Sequence, residues 1–385
     1  MEVEFLGAGE IVARLVQQLA PVLAAMLVLM GASFACRRRL GIYGQIYDSP
    51  IGVVGCALVL FWVLSALLAA RVAVWDPLVQ VRALQNALPG AIHPETGEPF
   101  LLGGDALGRC VFSRMIHGAR TVMAIAPAAT LLAYMVGITL GLPAGYFGGL
   151  LDTALSFLAN LVLAFPVILL FYLLVTPEIR TTAIPSTMAA VLFAFPLLFL
   201  LILFTSRFRE RPAMLAYTAL PALILGGFAY LGLTGIWNPT GAIGIDANTL
   251  NIFLAVVFIT APAVFRIVRG LTLDIRTRDY IAAAQTRGER AWYIMMWEIL
   301  PNARGPLIVD ACLRVGYTTI LLGTLGFFGL GISPESPDWG STINEGRRLL
   351  RVFIHPALPP ALALMSLVLG LNLLADALRE QSLKD

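Results

Sequence analysis

The side chains that could do chemistry are few, and their spacing does not assemble a reaction. Cys36, Cys56, Cys110 and Cys312 lie far apart with no CxxC spacing, so neither a zinc site nor a disulfide framework is expected. His93, His117 and His355 form no HExxH pair and lack a plausible nucleophile, which makes them ordinary loop or interface residues. An intramembrane enzyme would need a nucleophile with a base, or a metal set, and neither occurs at workable spacing. No GxxxxGKS/T loop is present, so the chain has no means of its own to hydrolyse ATP. The expectation is a chain that is not an enzyme, has no catalytic or metal residues and binds no cofactor itself.

Two polar regions could act by contact. The first runs from Asp279 through Tyr280, Ile281, Ala282, Ala283, Ala284, Gln285, Thr286 and Arg287 to Gly288, then from Glu289 to Leu300 and Pro301. Asp279 can serve as an N-cap, the alanines favour helix, and Gly288 can take the left-handed conformation that ends one. A second short helix is expected from Glu289 to Leu300, stopped by Pro301. Two short helices joined at a glycine, with small alanine faces that let another protein's backbone come close, make a docking element. The second region combines Asp105, Arg109, Arg114, Glu345, Arg347 and Arg348 with turn-forming Gly and Pro in segments 103–118 and 333–348. Such a mixed-charge rim suits a transient partner or the mouth of a path. It equally suits residues that cap helices and tie loops together, with Asp105 and Arg109 as the nearest internal pair.

The elements that must hold these residues lie in a bilayer. Of 385 residues 59% are apolar and 13% charged, and the mean hydropathy is +0.85, beyond what a soluble fold of this length could hide. The 26 basic residues, 25 of them arginine, against 23 acidic ones give +3, too weak a balance to imply nucleic acid. Apolar runs at about 15–36, 51–71, 119–142, 153–176, 186–206, 213–236, 250–268, 306–331 and 357–378 each approach the roughly 20 residues a spanning helix needs. They lack period-2 alternation, so they read as helices and not as barrel strands. The fold class is an all-α polytopic membrane protein.

Arginine sets the orientation. Arg37, Arg38 and Arg39, then Arg207, Arg209 and Arg211, then Arg266, Arg269, Arg276, Arg278, Arg287, Arg290 and Arg304, then Arg379 with Lys384 fall on one side, which should be cytoplasmic. The N-terminus is then outside and the C-terminus inside. Glu2, Glu4 and Glu10 precede the first apolar run and Arg37–Arg39 follow it, the reverse of a signal peptide, so it reads as a retained helix. The longest aqueous segments are the outer loop 72–118, the outer loop 332–356 and the inner loop 269–305. Asp310 and Arg314, four apart at the start of a span, read as a structural pair on one helix face.

The inner loop resembles the EAA loop of the membrane subunits of binding-protein-dependent ATP-binding-cassette importers: two alanines, a glycine four residues beyond and a Leu-Pro about twelve residues later. Ala282 stands where the family's first glutamate is usual, and Glu298 where a histidine is common. The run Leu102 to Arg114 with Gly118-Ala119-Arg120, the run Ala144 to Gly149 with Asp152, and Ala164-Phe165-Pro166 are similar to dipeptide, oligopeptide and nickel permeases. So are Gly326 to Gly331 through Pro337 to Gly340, and Asn344 to Arg347. The resemblance spans about 51–180 and 250–381.

That resemblance implies a six-helix type I permease core with about three extra helices, in a bacterial inner membrane. Residues 1–50 form an extra N-terminal span with its Arg turn, 51–118 the first core helix and outer loop, and 119–381 the core, with a two-helix insertion at about 183–238 and the coupling loop at 269–305. An even insertion returns the chain to the same side and keeps the coupling loop cytoplasmic. The resemblance assigns ATPase coupling to Asp279, Tyr280, Ala282, Ala283, Ala284, Arg287, Gly288, Leu300 and Pro301. Partners would be a homologous second permease, two ATPase subunits carrying ATP and Mg, and an extracytoplasmic binding protein. Peptides are the first solute class, with nickel chelates or other small solutes behind. The competing reading, an ion-coupled secondary carrier, would place ionisable groups near the bilayer centre. The spans 121–142, 153–175, 186–206, 213–236 and 357–375 hold no charge, with Asp152 at the edge of the second, which disfavours it.

Overall fold

A computed structural model describes residues 4–176, 182, 184–234, 247–330 and 336–382. Gly331, positions 333–335, Lys384 and the ends of the 183–238 insertion lie outside the described residues. Among the described residues eight helices are long and apolar enough to cross a membrane, and a bent pair makes a possible ninth. The chain divides into two compact units, Met1–Pro127 with Val309–Asp385, and Ala128–Ile308.

In the first unit helix α1 (Ala8–Ala35) packs on α2 (Pro50–Leu67), and α2 in turn on the C-terminal helix. At that second crossing the helices meet with backbone against backbone: a Cβ on Gly55 would lie 2.6 Å from the Leu374 nitrogen and 2.9 Å from the Gly370 oxygen. Small residues are what lipid-embedded helices use to come this close, since no hydrophobic effect drives them together. The strands β1 (Ala91–Ile92) and β2 (Pro99–Phe100) form a hairpin in the outer loop. The chain start joins that hairpin, with Leu6 N–H donating to the Gly90 carbonyl and Ile92 N–H to the Glu4 carbonyl, both at 2.9 Å. Residues 4–6 therefore lie on the same side as loop 72–118.

Helix α3 (Val111–Phe147) begins eight residues before the apolar run expected at 119. Its 37 residues exceed the bilayer core at about 1.5 Å per residue, so its polar first turns form the inner wall of the outer loop. The span expected at 153–176 is broken into α4 (Gly149–Ala164) and α5 (Val167–Val175), bent by 82°. Pro166 is the cause: it has no N–H to give and forces Phe165 into extended backbone, at φ −78° and ψ 132°.

The second unit continues with α6 (Ile184–Phe208), α7 (Pro212–Leu233) and α8 (Ala247–Ile275). Gly137, Gly141 and Gly145, spaced by four on one face of α3, meet α8 at Val264, Val268 and Thr272, where added Cβ atoms would lie 2.5, 2.9 and 2.6 Å away. Arg276 closes this contact by donating to the Gly145 and Tyr146 carbonyls at 2.9 and 3.1 Å, satisfying the last carbonyls of α3. Helix α4 is held to α8 by Arg269 on Asp152 and by Arg266 on Asn160. Helices α6 and α7 pack against each other and leave Val191, Leu198, Leu220, Ile224 and Leu225 exposed, a surface for lipid.

Candidate functional site

The inner loop is built on α9 (Asp279–Thr286) and a helical run that comprises Ala291–Tyr293, a π-helical turn Ile294–Ile299 and Leu300–Asn302. Asp279 is not the N-cap expected: Arg278, at φ −77° and ψ 149°, holds that position without a side-chain cap, and Asp279 is the first helical residue. Its carboxylate still favours the helix through the dipole. Gly288 is where the sequence puts it, at φ +79°, and the end it makes is a complete Schellman motif. Gly288 N–H donates to Gln285 at 2.9 Å and Glu289 N–H to Ala284 at 3.2 Å. The second helix does not stop at Pro301. The π turn widens the ladder just ahead, and Pro301 takes the second place of a new turn, where no intrahelical donor is required.

The alanines divide. Ala282 and Ala283 are exposed, but Ala284, with Ile281, is fully buried in the chain itself, so the triple offers two residues outward. Tyr280, Arg287, Gly288 and Pro301 are exposed and Leu300 half-buried. Partial burial pushes the Tyr280 phenol up, with the Arg278 cation pulling it down. Arg287 pairs with Glu298 at 3.3 Å, tying α9 to the following run. Gln285 donates to the Tyr146 hydroxyl at 3.2 Å, so α9 also rests on the end of α3.

Sequence reasoning missed the other face of this loop. Trp297 Nε1 donates to Ser206 Oγ at 3.0 Å, and Arg207 donates to the Tyr293 hydroxyl at 3.3 Å. The Arg207 guanidinium also sits 4.9 Å over the Trp297 ring. The end of α6 therefore lies on the same side as the inner loop, as charge counting had it. Helix α6, at 25 residues about 37 Å long, then starts on the far side, and the end of α3 is held to Arg276 on the near one. The signal was available as Trp292, Tyr293 and Trp297, three aromatics clustered within six residues of the inner loop.

The mixed-charge rim divides as well. Asp105 Oδ1 accepts from the Leu107 and Arg109 backbone at 2.9 Å each, and its Oδ2 accepts from Arg109 Nε at 2.7 Å. Arg109 also meets Glu345, while Arg114 donates to Glu345 at 3.3 Å and to Thr342 Oγ1 at 3.2 Å. Asp105, Arg109 and Arg114 are 3%, 3% and 0% exposed, out of reach of any partner, so these three tie the outer loop to helix α11 (Trp339–Arg347). Glu345 is partly exposed. Arg347, stacked 4.8 Å over Phe327, and Arg348 are the exposed members. On the same outer segments burial pushes the Asp338 carboxyl up and the His355 imidazole down, the latter against its contact with the Gly104 carbonyl at 3.1 Å. Helix α10 (Arg304–Phe327) carries Asp310 and Arg314 paired at 2.6 Å.

The family model described as binding-protein-dependent transport system inner membrane component matches residues 191–382. That match takes in most of the α6–α7 segment that the ordered motifs leave out. The chain is similar to a glutathione transport system permease protein of Pectobacterium atrosepticum, 30% identical over 72% of this chain and 70% of the relative. It is also similar to a dipeptide transport system permease protein of Haemophilus influenzae, 27% identical over 85% and 88% of the two chains. A di/tripeptide transport system permease protein of Pseudomonas aeruginosa is 28% identical over 85% of each. The helical, multi-pass architecture and these likenesses lead to one assignment: the chain belongs to the family of binding-protein-dependent transport system inner membrane components, as a permease subunit of an ATP-binding-cassette importer.

Proposed function

We propose that this permease carries short peptides, delivered by a binding protein, and that its 279–301 loop receives the stroke of partner ATPases. The observation that supports the reading is the loop's form: a helix ended by a full Schellman turn, with Ala282 and Ala283 outward, Ile281 and Ala284 buried on its inner face, and Gln285 bonded to Tyr146 at the end of α3. Small outward side chains let a partner's backbone approach, and the anchored inner face passes displacement to a spanning helix. A homologous second permease completes the path, and two ATPases bind ATP and Mg. The loop must contact their nucleotide-bound and free states differently, because a contact equal in both transmits nothing. In this reading the N-terminus is outside, the C-terminus cytoplasmic, and Arg347 and Arg348 meet the binding protein.

The peptide class rests on what the similar permeases are named for: glutathione, dipeptides and di/tripeptides share a short amide backbone with charged ends. An ion-coupled carrier is less well supported, because the spanning-helix charges Asp152 and Asp310 are engaged by Arg269 and Arg314. The test is reconstitution of the complex in proteoliposomes with labelled dipeptides. ATP-dependent uptake that needs the binding protein is expected. Uptake driven by a proton or sodium gradient without ATP would overturn the proposal.

A further inference from the structure

Helix α6 reaches the loop through an arrangement that the permease assignment does not explain. Ser206 and Arg207 stand in its last turn, and three contacts leave them: Ser206 Oγ to Trp297 Nε1 at 3.0 Å, Arg207 to the Tyr293 hydroxyl at 3.3 Å, and the Arg207 guanidinium 4.9 Å over the Trp297 ring. Both aromatic partners belong to the helical run 291–302, and Trp297 lies inside its π-helical turn. π turns are rare and widen the helix at the cost of its regular ladder. Ile294, Met295, Met296 and Ile299 of that turn are buried. The run is thus gripped on one side by the unit's core and on another by the end of α6. Higher up, α6 packs on α8, with Phe193 and Phe253 stacked at 6.1 Å.

We infer that Arg207, with Ser206, is a positioning residue of the coupling loop: α6 is a strut that sets the register of the 291–302 run against α8. Indole and phenol are the partners this chemistry calls for. A guanidinium lies flat on a ring face and still has donors for a hydroxyl, whereas a hydrophobic helix end would give contact without direction. A strut at this place fixes one end of the lever, so that displacement of α9 is passed on and not absorbed by the π turn. The inference rests on the coupling-loop reading for its functional meaning, but the grip itself can be tested without it.

Two measurements on the full complex in nanodiscs separate the two. In the first, amide exchange across residues 291–302 is compared between the parent and Arg207→Ala. Exchange is expected to quicken by about 5- to 30-fold, the factor that one hydrogen bond and one cation–π contact supply together. Unchanged exchange overturns the strut whatever the loop does. In the second, the ratio of binding-protein-stimulated to basal ATP turnover is read for Arg207→Ala, Arg207→Lys and Arg209→Ala. The ratio is expected to fall severalfold for Arg207→Ala, to be largely restored by Arg207→Lys, which keeps a cation over the ring, and to hold for Arg209→Ala. A fall of equal size for Arg209→Ala reduces the effect to surface charge and overturns the inference. Quickened exchange with an unchanged ratio also overturns the positioning role, leaving a contact that only stabilises. Failure of the ATPases to cross-link to Ala283→Cys in the otherwise unaltered complex would count against the coupling-loop reading, and is told apart from both outcomes.

Discussion

Gly288 offers the sharpest perturbation of the loop. It holds φ +79° at the corner of the Schellman turn, and a Cβ built there meets nothing within 4 Å. Alanine therefore brings backbone strain alone, about 1–2 kcal/mol for an L-residue in the left-handed region. That is about a 5- to 30-fold shift of the local equilibrium away from the native corner. Leucine brings the same strain and also projects a bulky side chain from an exposed corner beside Arg287. Asparagine tolerates the left-handed region and serves as a control with little strain. Whole-cell uptake of labelled dipeptide, with membrane insertion followed by protease accessibility, distinguishes the three. Asparagine is expected near parental uptake, alanine to lose no more than the factor above, and Gly288→Leu to abolish uptake while inserting normally. Parental uptake by the leucine variant would refute the coupling role of the corner. Equal losses for leucine and alanine would refute the claim that something docks there.

Three further outcomes follow from the geometry. Cysteines placed in the Arg207–Arg211 turn should be labelled from the cytoplasm only, and labelling from outside would show the orientation to be reversed. Arg347→Glu combined with Arg348→Glu should weaken binding-protein-stimulated ATP turnover, and unchanged stimulation would move the outer docking surface elsewhere. Asp105→Ala leaves the buried Arg109 and Arg114 sharing Glu345 as their remaining salt-bridge partner among the described residues, so a loss of about 3–5 kcal/mol is expected. An unchanged melting midpoint in detergent would contradict the network's internal role.

The spanning helices were legible because lipid imposes a single rule, a long apolar run, on each of them. Their ends were not, because polar turns such as Val111 to Arg120 continue a helix beyond the hydrocarbon at no cost in apolar content. The break at Pro166 was present in the motif Ala164-Phe165-Pro166, yet an apolar run reads the same whether straight or bent by 82°. Gly288 was legible since one residue type fits its backbone. Ala284 was not separable from Ala282 and Ala283, because burial depends on which way the whole helix is turned on its neighbours. For the same reason the rim charges could be read as docking or as internal ties, and only packing showed that Asp105, Arg109 and Arg114 face inward. The grip of Arg207 on Tyr293 and Trp297 joins residues 86 or more positions apart, a distance no local pattern spans.

The central claim is that the exposed face of α9 meets an ATPase and feels its nucleotide state. Single cysteines at Ala282, Ala283 and Ala284 in the assembled complex, treated with a short bifunctional cross-linker in the presence and absence of ATP, test it directly. Ala282→Cys and Ala283→Cys should join to an ATPase subunit with yields that differ between the two conditions, while Ala284→Cys, on the buried face, should not. No cross-link from the two exposed positions, or yields that ignore ATP, would contradict the account.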